Sequence, residues 1–230
     1  MELNETVYIL FFTHRGAFMS LSTPQVRKGR KYDQVLEGAR AVFLADGFEG
    51  ASVDEIARVA AVSKATLYSY FPDKRVLFME VATAECARQA KEALDHIDMD
   101  AAPRKVLYET AYHFLRFITS TFGLQVFRMC VAESDRFPAI GQSFYNSGPV
   151  MMQSEMAEYF EAAEARGVLK VDDYMLAADQ FGELCKADIW PRLIFGVSKS
   201  VTEAEITRVV EGAVDMFMAR YGTELEGESR

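Results

Sequence analysis

Cysteine is scarce in this chain, and its placement gives no sign of pairing. Cys86, Cys130 and Cys185 are an odd number, far apart, with no CxxC or HxxxH spacing nearby. Neither a disulfide framework nor a zinc site is implied, and a reducing compartment, the cytoplasm, is expected. Proline and glycine are also few, 6 and 14 in 230 residues, which leaves too little turn chemistry for an all-β sandwich. The three histidines, His14, His96 and His113, are scattered, and the sequence has no GxSxG elbow, P-loop or HExxH. No enzyme, metal or cofactor is therefore expected. The paired carboxylates Glu203 and Glu205, and Asp172 and Asp173, fall at helix starts, where capping is their usual work. The apolar run near the N-terminus, Val7 to Phe12, is about six residues long, too short for a signal-peptide core or a bilayer span, so no membrane partner is expected.

What is present is apolar and helix-forming. Half of the chain is apolar and 26% is charged, with Ala, Leu, Met, Glu and Arg abundant. A net charge of −9 argues against coating nucleic acid by bulk electrostatics, yet the charge is uneven. Residues 27 to 75 carry nine bases and seven acids, whereas residues 76 to 230 carry 15 bases and 25 acids. One short basic stretch on an acidic chain suggests two jobs on two pieces.

Tyr32, Val35, Leu36, Ala39, Val42 and Phe43 recur at the spacing of one buried helical stripe. Asp46-Gly47 ends that helix, Gly47 being free to turn left-handed. Ser52-Val53-Asp54-Glu55 reads as a capping box that opens a short helix to about Ala60, with Val53, Ile56, Ala57 and Ala60 inward. After Ala61-Val62-Ser63, Ser63 can cap a third helix, Lys64 to Phe71, anchored by Leu67 and Phe71. Pro72 stops it and Asp73 caps a fourth. Three short helices, the last two separated by a tight turn, have helix-turn-helix spacing. Beyond them the pattern predicts long helices near 74–96, 103–121, 124–135, 149–166, 173–195 and 203–221. Pro103 and Pro149 serve as first-turn residues, Gly167 as a stop, and Thr202 with Glu205 as a second capping box. The expected fold is all-α: an N-terminal three-helix helix-turn-helix domain joined to a larger helical domain.

In a helix-turn-helix the third helix lies in the major groove, its outward side chains small and polar. Ser63, Lys64, Ala65, Thr66, Tyr68, Ser69 and Tyr70 supply such a face. Ser52 and Ser63 mark helix N-termini that attract anions, and Lys74 stands where it could hold the DNA backbone. Spacing alone equally allows an ordinary bundle, with Tyr68, Tyr70 and Phe71 as an aromatic lid and Lys64 as a solvated charge. The stretches AVFLADGFEGASVDEIA (41–57) and VSKATLYSYFPDK (62–74) carry a close resemblance, over about 45 residues or a fifth of the chain, to the N-terminal domain of the TetR family of transcriptional regulators. That resemblance implies base contacts at Lys64, Ala65, Tyr68 and Ser69, and phosphate contacts at Ser52, Ser63, Thr66, Tyr70 and Lys74. Ala61 and Ala65 depart from the family pattern, standing where glycine is common. Ala61 would cost about 1 kcal/mol if left-handed, and the Ala65 methyl could meet a thymine methyl. Arg27, Lys28, Arg30 and Lys31 read either as a solvated tail or as an arm along the DNA backbone or minor groove.

A reading head with so little net charge needs a second copy to gain affinity. Apolar stripes occur on the last two long helices, Phe181, Leu184 and Ile189 on one, and Ile206, Val209, Ala213, Met216 and Phe217 on the other. They either close one subunit's core or, as the resemblance implies, form a four-helix bundle with a symmetry mate. A homodimer would read a palindromic double-stranded operator with half-sites roughly 34 to 36 Å apart. Aromatics and methionines crowd the middle of the chain, as in pockets for a small lipophilic effector. Its candidate lining is Tyr112, His113, Arg116, Phe117, Phe127, Arg128, Met152 and Met156. The family mechanism implies that an effector shifts the helix from Lys74 to about Ile97 and releases the operator, which is the behaviour of a repressor. The C-terminal half is similar to the AefR-like subgroup. The alternative is an all-helical carrier or enzyme for small molecules or lipids that uses the Phe and Met cavity. Residues 1–26 are expected to be a disordered or mis-assigned extension, with Met19 as a candidate start. The helix-turn-helix domain is expected over 27–73, the ligand-binding and dimerisation domain over 74–222, and a frayed tail over 223–230.

Overall fold

A computed structural model describes residues 29–94 and 96–223. The expectations for the N-terminal extension, for Arg27 and Lys28 and for the tail after residue 223 lie outside them. Among the described residues eleven α-helices follow one another: α1 (Arg30–Gly50), α2 (Val53–Val59), α3 (Lys64–Tyr70), α4 (Lys74–Leu94), α5 (Pro103–Ile118), α6 (Thr121–Ser134), α7 (Pro138–Tyr145), α8 (Met151–Ala165), α9 (Tyr174–Lys186), α10 (Ile189–Ile194) and α11 (Glu203–Tyr221). Among the described residues the extended pairing is confined to one antiparallel bridge, Leu169 with Gly222.

The first helix buries the expected stripe, Tyr32, Val35, Ala39, Val42 and Phe43. At Gly47 the backbone turns to φ +71° and kinks α1, a conformation that glycine adopts without steric cost. Gly38 makes a different contribution, since a Cβ there would lie 2.6 Å from that of Ala60. Only a bare backbone lets α2 settle this close on α1. Ser52 accepts the Glu55 amide at 3.1 Å, which is half of the expected capping box. The other half gives way because the Glu55 carboxylate turns to Arg58 instead, at 2.8 and 2.6 Å.

Ala61, in the turn between α2 and α3, has φ +50°. An L residue there carries about 1 kcal/mol of strain. Ala61→Gly relieves that strain and adds a smaller entropy to the unfolded chain. The expected result is a gain of up to about 1 kcal/mol, a rise in Tm of about 2–4 °C for a chain of this size. A thermal melt checks it, and a lower Tm would show that the turn holds its shape without strain.

Two apolar cores stand end to end. One joins α1, α2 and α3 to the first half of α4 and to Phe122, Val126, Met129 and Cys130 of α6 and Ile140 of α7. The other packs α5, α8, α9, α10 and α11 together, with Phe160, Phe181 and Phe217 fully buried. One expected helix is preceded by elements that no pattern announced, and another proves to be divided. The helix placed at 149–166 is α8 preceded by α7 and a π-helical turn, Asn146–Val150, so Pro149 lies inside that wide turn and not at a helix start. The helix placed at 173–195 breaks at Ala187-Asp188, where Asp188 has φ +63°. Pro191 explains the break: it has no N–H for the carbonyl of residue 187, and its ring would collide with that carbonyl in a continuous helix. Asp188 is then held by Arg192 and Arg208.

Candidate nucleic-acid interface

The third helix is anchored chiefly by two side chains, with Thr66 and Tyr70 half-buried beside them. Leu67 and Phe71 are buried, Phe71 lying 5.2 Å from the Tyr32 ring. Lys64, Ala65, Tyr68 and Ser69, the four expected base-reading residues, share the exposed side, with Tyr68 48% exposed. The polar groups are already ordered. Ser63 Oγ accepts the Thr66 amide at 3.0 Å and bonds the Thr66 hydroxyl at 2.9 Å, and the Ser69 hydroxyl donates to the Thr66 carbonyl at 2.6 Å. Tyr70 turns partly inward, edge-on to Tyr32 at 5.9 Å. Ser52 stays exposed at the start of α2.

Several bases have partners that sequence spacing did not suggest. The Lys64 ammonium pairs with Asp54 of α2, a hydrogen bond that raises its pKa. Lys74, expected on a phosphate, donates to the carbonyls of Phe48 at 2.8 Å and Ala51 at 3.1 Å and sits 4.4 Å above the Phe48 ring. The last turn of α1 has no base of its own, and Lys74 closes it, which leaves one N–H for any other contact. Arg75 bonds Asp73 and reaches Glu133 of α6 at 3.0 Å, with its guanidinium over Phe137. Arg30 and Lys31 are exposed and have no ion-pair partner among the described residues.

Behind the reading head, Glu85 of α4 is only 4% exposed. It accepts Arg40 Nε of α1 at 2.7 Å, together with Arg88 and Gln89. Burial pushes its carboxyl up, but the bonds from Arg88, Arg40 and Gln89 outweigh burial and bring the pKa to about 2. The native carboxylate stays ionised where the unfolded one, at 4.5, takes up a proton. Its stabilisation is therefore complete above that value and is lost as the pH falls through about 2. Glu85→Gln is expected to cost about 2 kcal/mol at pH 7 and to flatten the fall in Tm between pH 5 and 2. Melts that fall equally steeply in both proteins would overturn this.

Comparison with known proteins settles what this head belongs to. Residues 35–81 match the family model described as bacterial regulatory proteins, tetR family, and residues 105–223 match the AefR-like transcriptional repressor C-terminal domain. The chain belongs to the TetR family of transcriptional regulators. It is similar to a TetR-family regulator from Mesorhizobium loti, with 29% identity and a TM-score of 0.73 over 86% of this chain and all of that one. The flavonoid-responsive regulator FrrA is 34% identical, with a TM-score of 0.63 over 85% of this chain and 98% of that one. The repressor AcnR of Corynebacterium efficiens is 36% identical over 58 residues, 25% of this chain and 31% of AcnR. The match thus spans about a third of that curated relative.

For a TetR-family chain, the expected effector lining is dispersed. Tyr112 and Arg116 turn outward to Glu203 at the start of α11, Arg116 at 2.9 Å. His113 lies edge-on to Tyr112 at 5.9 Å. Arg128 donates to the Leu193 carbonyl at 2.6 Å, and Phe127 packs on Trp190 at 4.9 Å and Phe144 at 6.0 Å. Met156 is core, Met152 packs beside it, and Phe117 is half-buried. Two open grooves among the described residues involve none of these eight residues. One, of about 550 Å³, runs between α5 and α11 past Tyr108 and Asp215, and the other, of about 380 Å³, lies between α1 and α4 beside Arg40 and Arg88.

Most of the expected dimer stripe lies inside one subunit. Phe181, Ile189, Ile206, Val209, Ala213 and Phe217 are buried within one subunit, because α9, α10 and α11 turn these residues into the core they share with α5 and α8. Leu184 is half-buried, and Met216, 62% exposed, alone faces fully outward.

Proposed function

We propose that this chain is a cytoplasmic repressor that binds a palindromic operator as a homodimer and is released by a small lipophilic effector. The observation that carries the DNA reading is α3 itself, a helix fixed by Leu67 and Phe71 whose remaining surface offers Lys64, Ala65, Tyr68 and Ser69. The groove-reading helix of a helix-turn-helix has the same division of labour. Support for a second copy comes from the outer faces of α9 and α11, where Met175, Leu176 and Met216 are exposed and the space above Gly182 and Gly212 is open. The likeness to FrrA makes flavonoids the first effector class to try.

Selection of bound duplexes from a random pool tests the reading. Half-sites about one helical turn apart are expected, with sedimentation giving two chains per duplex. No enriched sequence, or one chain per duplex, would overturn it. A flavonoid panel read by thermal shift then bounds the effector. An inducer that weakens DNA binding a hundredfold must bind the DNA-loaded protein a hundredfold more weakly, a coupling of about 2.7 kcal/mol.

A further inference from the structure

The recognition lysine is held by a residue to which the reading above gives no role. Asp54 stands in the first turn of α2 with its side chain 71% exposed, and its carboxylate pairs with Lys64, itself 55% exposed. Other bases of the head are occupied too: Arg40 by Glu37 and Glu85, Arg58 by Glu55, Lys74 by two carbonyls, Arg75 by Asp73 and Glu133. The Lys64 pair differs from these in joining α2 to the reading face of α3. In a helix-turn-helix the helix before the reader crosses the DNA backbone, so the same carboxylate is carried toward the phosphates.

We propose that Asp54 is a specificity-determining residue, whose carboxylate competes with DNA phosphate for Lys64 and so lowers affinity for unmatched duplex. On unmatched DNA, Lys64 exchanges one anion for another, with little gain, and leaves a bare carboxylate near the phosphates. On a matched site one N–H of the ammonium reaches a base-edge acceptor such as guanine O6 or N7 while another keeps the Asp54 carboxylate, so no pair is lost there. An exposed ion pair shifts an equilibrium by up to about fivefold in each subunit, enough to separate matched from unmatched DNA without preventing binding. The inference rests on the DNA reading of α3.

Asp54→Asn tests it, with Asp54→Ser as a second neutral variant and Tm as a check on folding. Binding is measured from 50 to 200 mM KCl on the duplex selected by the wild-type protein and on a shuffled duplex of equal composition. Affinity for the shuffled duplex is expected to rise about three- to tenfold, with its salt slope steeper by about one unit for each bound subunit. Affinity for the selected duplex changes less than about twofold, so the specificity ratio falls. Repeating the selection should relax the same base pair in Asp54→Asn and Lys64→Ala. Equal gains on both duplexes would reduce Asp54 to general repulsion, and weaker binding to the selected duplex would make it a direct contact; either overturns the proposal. Wild-type protein that prefers no duplex would instead bring down the DNA reading, a separate failure visible before any variant is made.

Discussion

Alanine at Lys64 and Tyr68 together is expected to weaken binding to the selected duplex by at least about 100-fold while leaving the fold intact. A base or phosphate contact is worth about 1–3 kcal/mol, and two are lost in each half-site. Both side chains are exposed on α3, and the Lys64 pair with Asp54 is solvated, so Tm should move by less than about 2 °C. Anisotropy titration beside a thermal melt separates the two effects. A helical carrier or enzyme would be indifferent to both changes, and unchanged DNA affinity would remove α3 from the reading surface.

The second large effect belongs to Phe78. Its ring is fully buried on α4 and lies 4.9 Å from Phe43, 5.0 Å from Phe48 and 6.0 Å from Phe122. One side chain thus joins α1, α4 and α6. Phe78→Ala should cost about 3–5 kcal/mol, a fall in Tm of about 10 °C, and should weaken DNA binding even where the chain stays folded, because the head loses its seat on α6. Phe160→Ala, in the other core, should lower Tm to a similar degree with DNA affinity nearly intact at 25 °C. Equal DNA losses in the two variants would mean that the cores do not divide the work.

Local chemistry made much of this legible. Ser63, Asp73 and Thr202 cap the helices that their positions indicate, because a cap depends on residues within one turn. Leu67 and Phe71 were readable from periodicity alone. Periodicity tells which face of a helix is apolar but not what covers it. Phe181 and Phe217 therefore looked like a surface for a partner, yet they meet each other 5.2 Å apart inside one subunit. The surroundings of the expected effector lining were hidden for a similar reason, since Tyr112 and Arg116 answer to Glu203, some 90 residues away along the chain. Nothing local to Arg40 points to Glu85, or near Lys64 to Asp54. The break before α10 was within reach, because Pro191 carries the same prohibition as Pro72.

The sequence contains a single tryptophan, and the fold sets it at a useful corner. Trp190 of α10 meets Phe127 of α6 edge-on at 4.9 Å, next to the Leu193 carbonyl that holds Arg128. Its emission therefore comes from one known contact, without competing indoles. A change in colour or intensity when a compound is added would report displacement of α6 against α10 in real time, with no label attached.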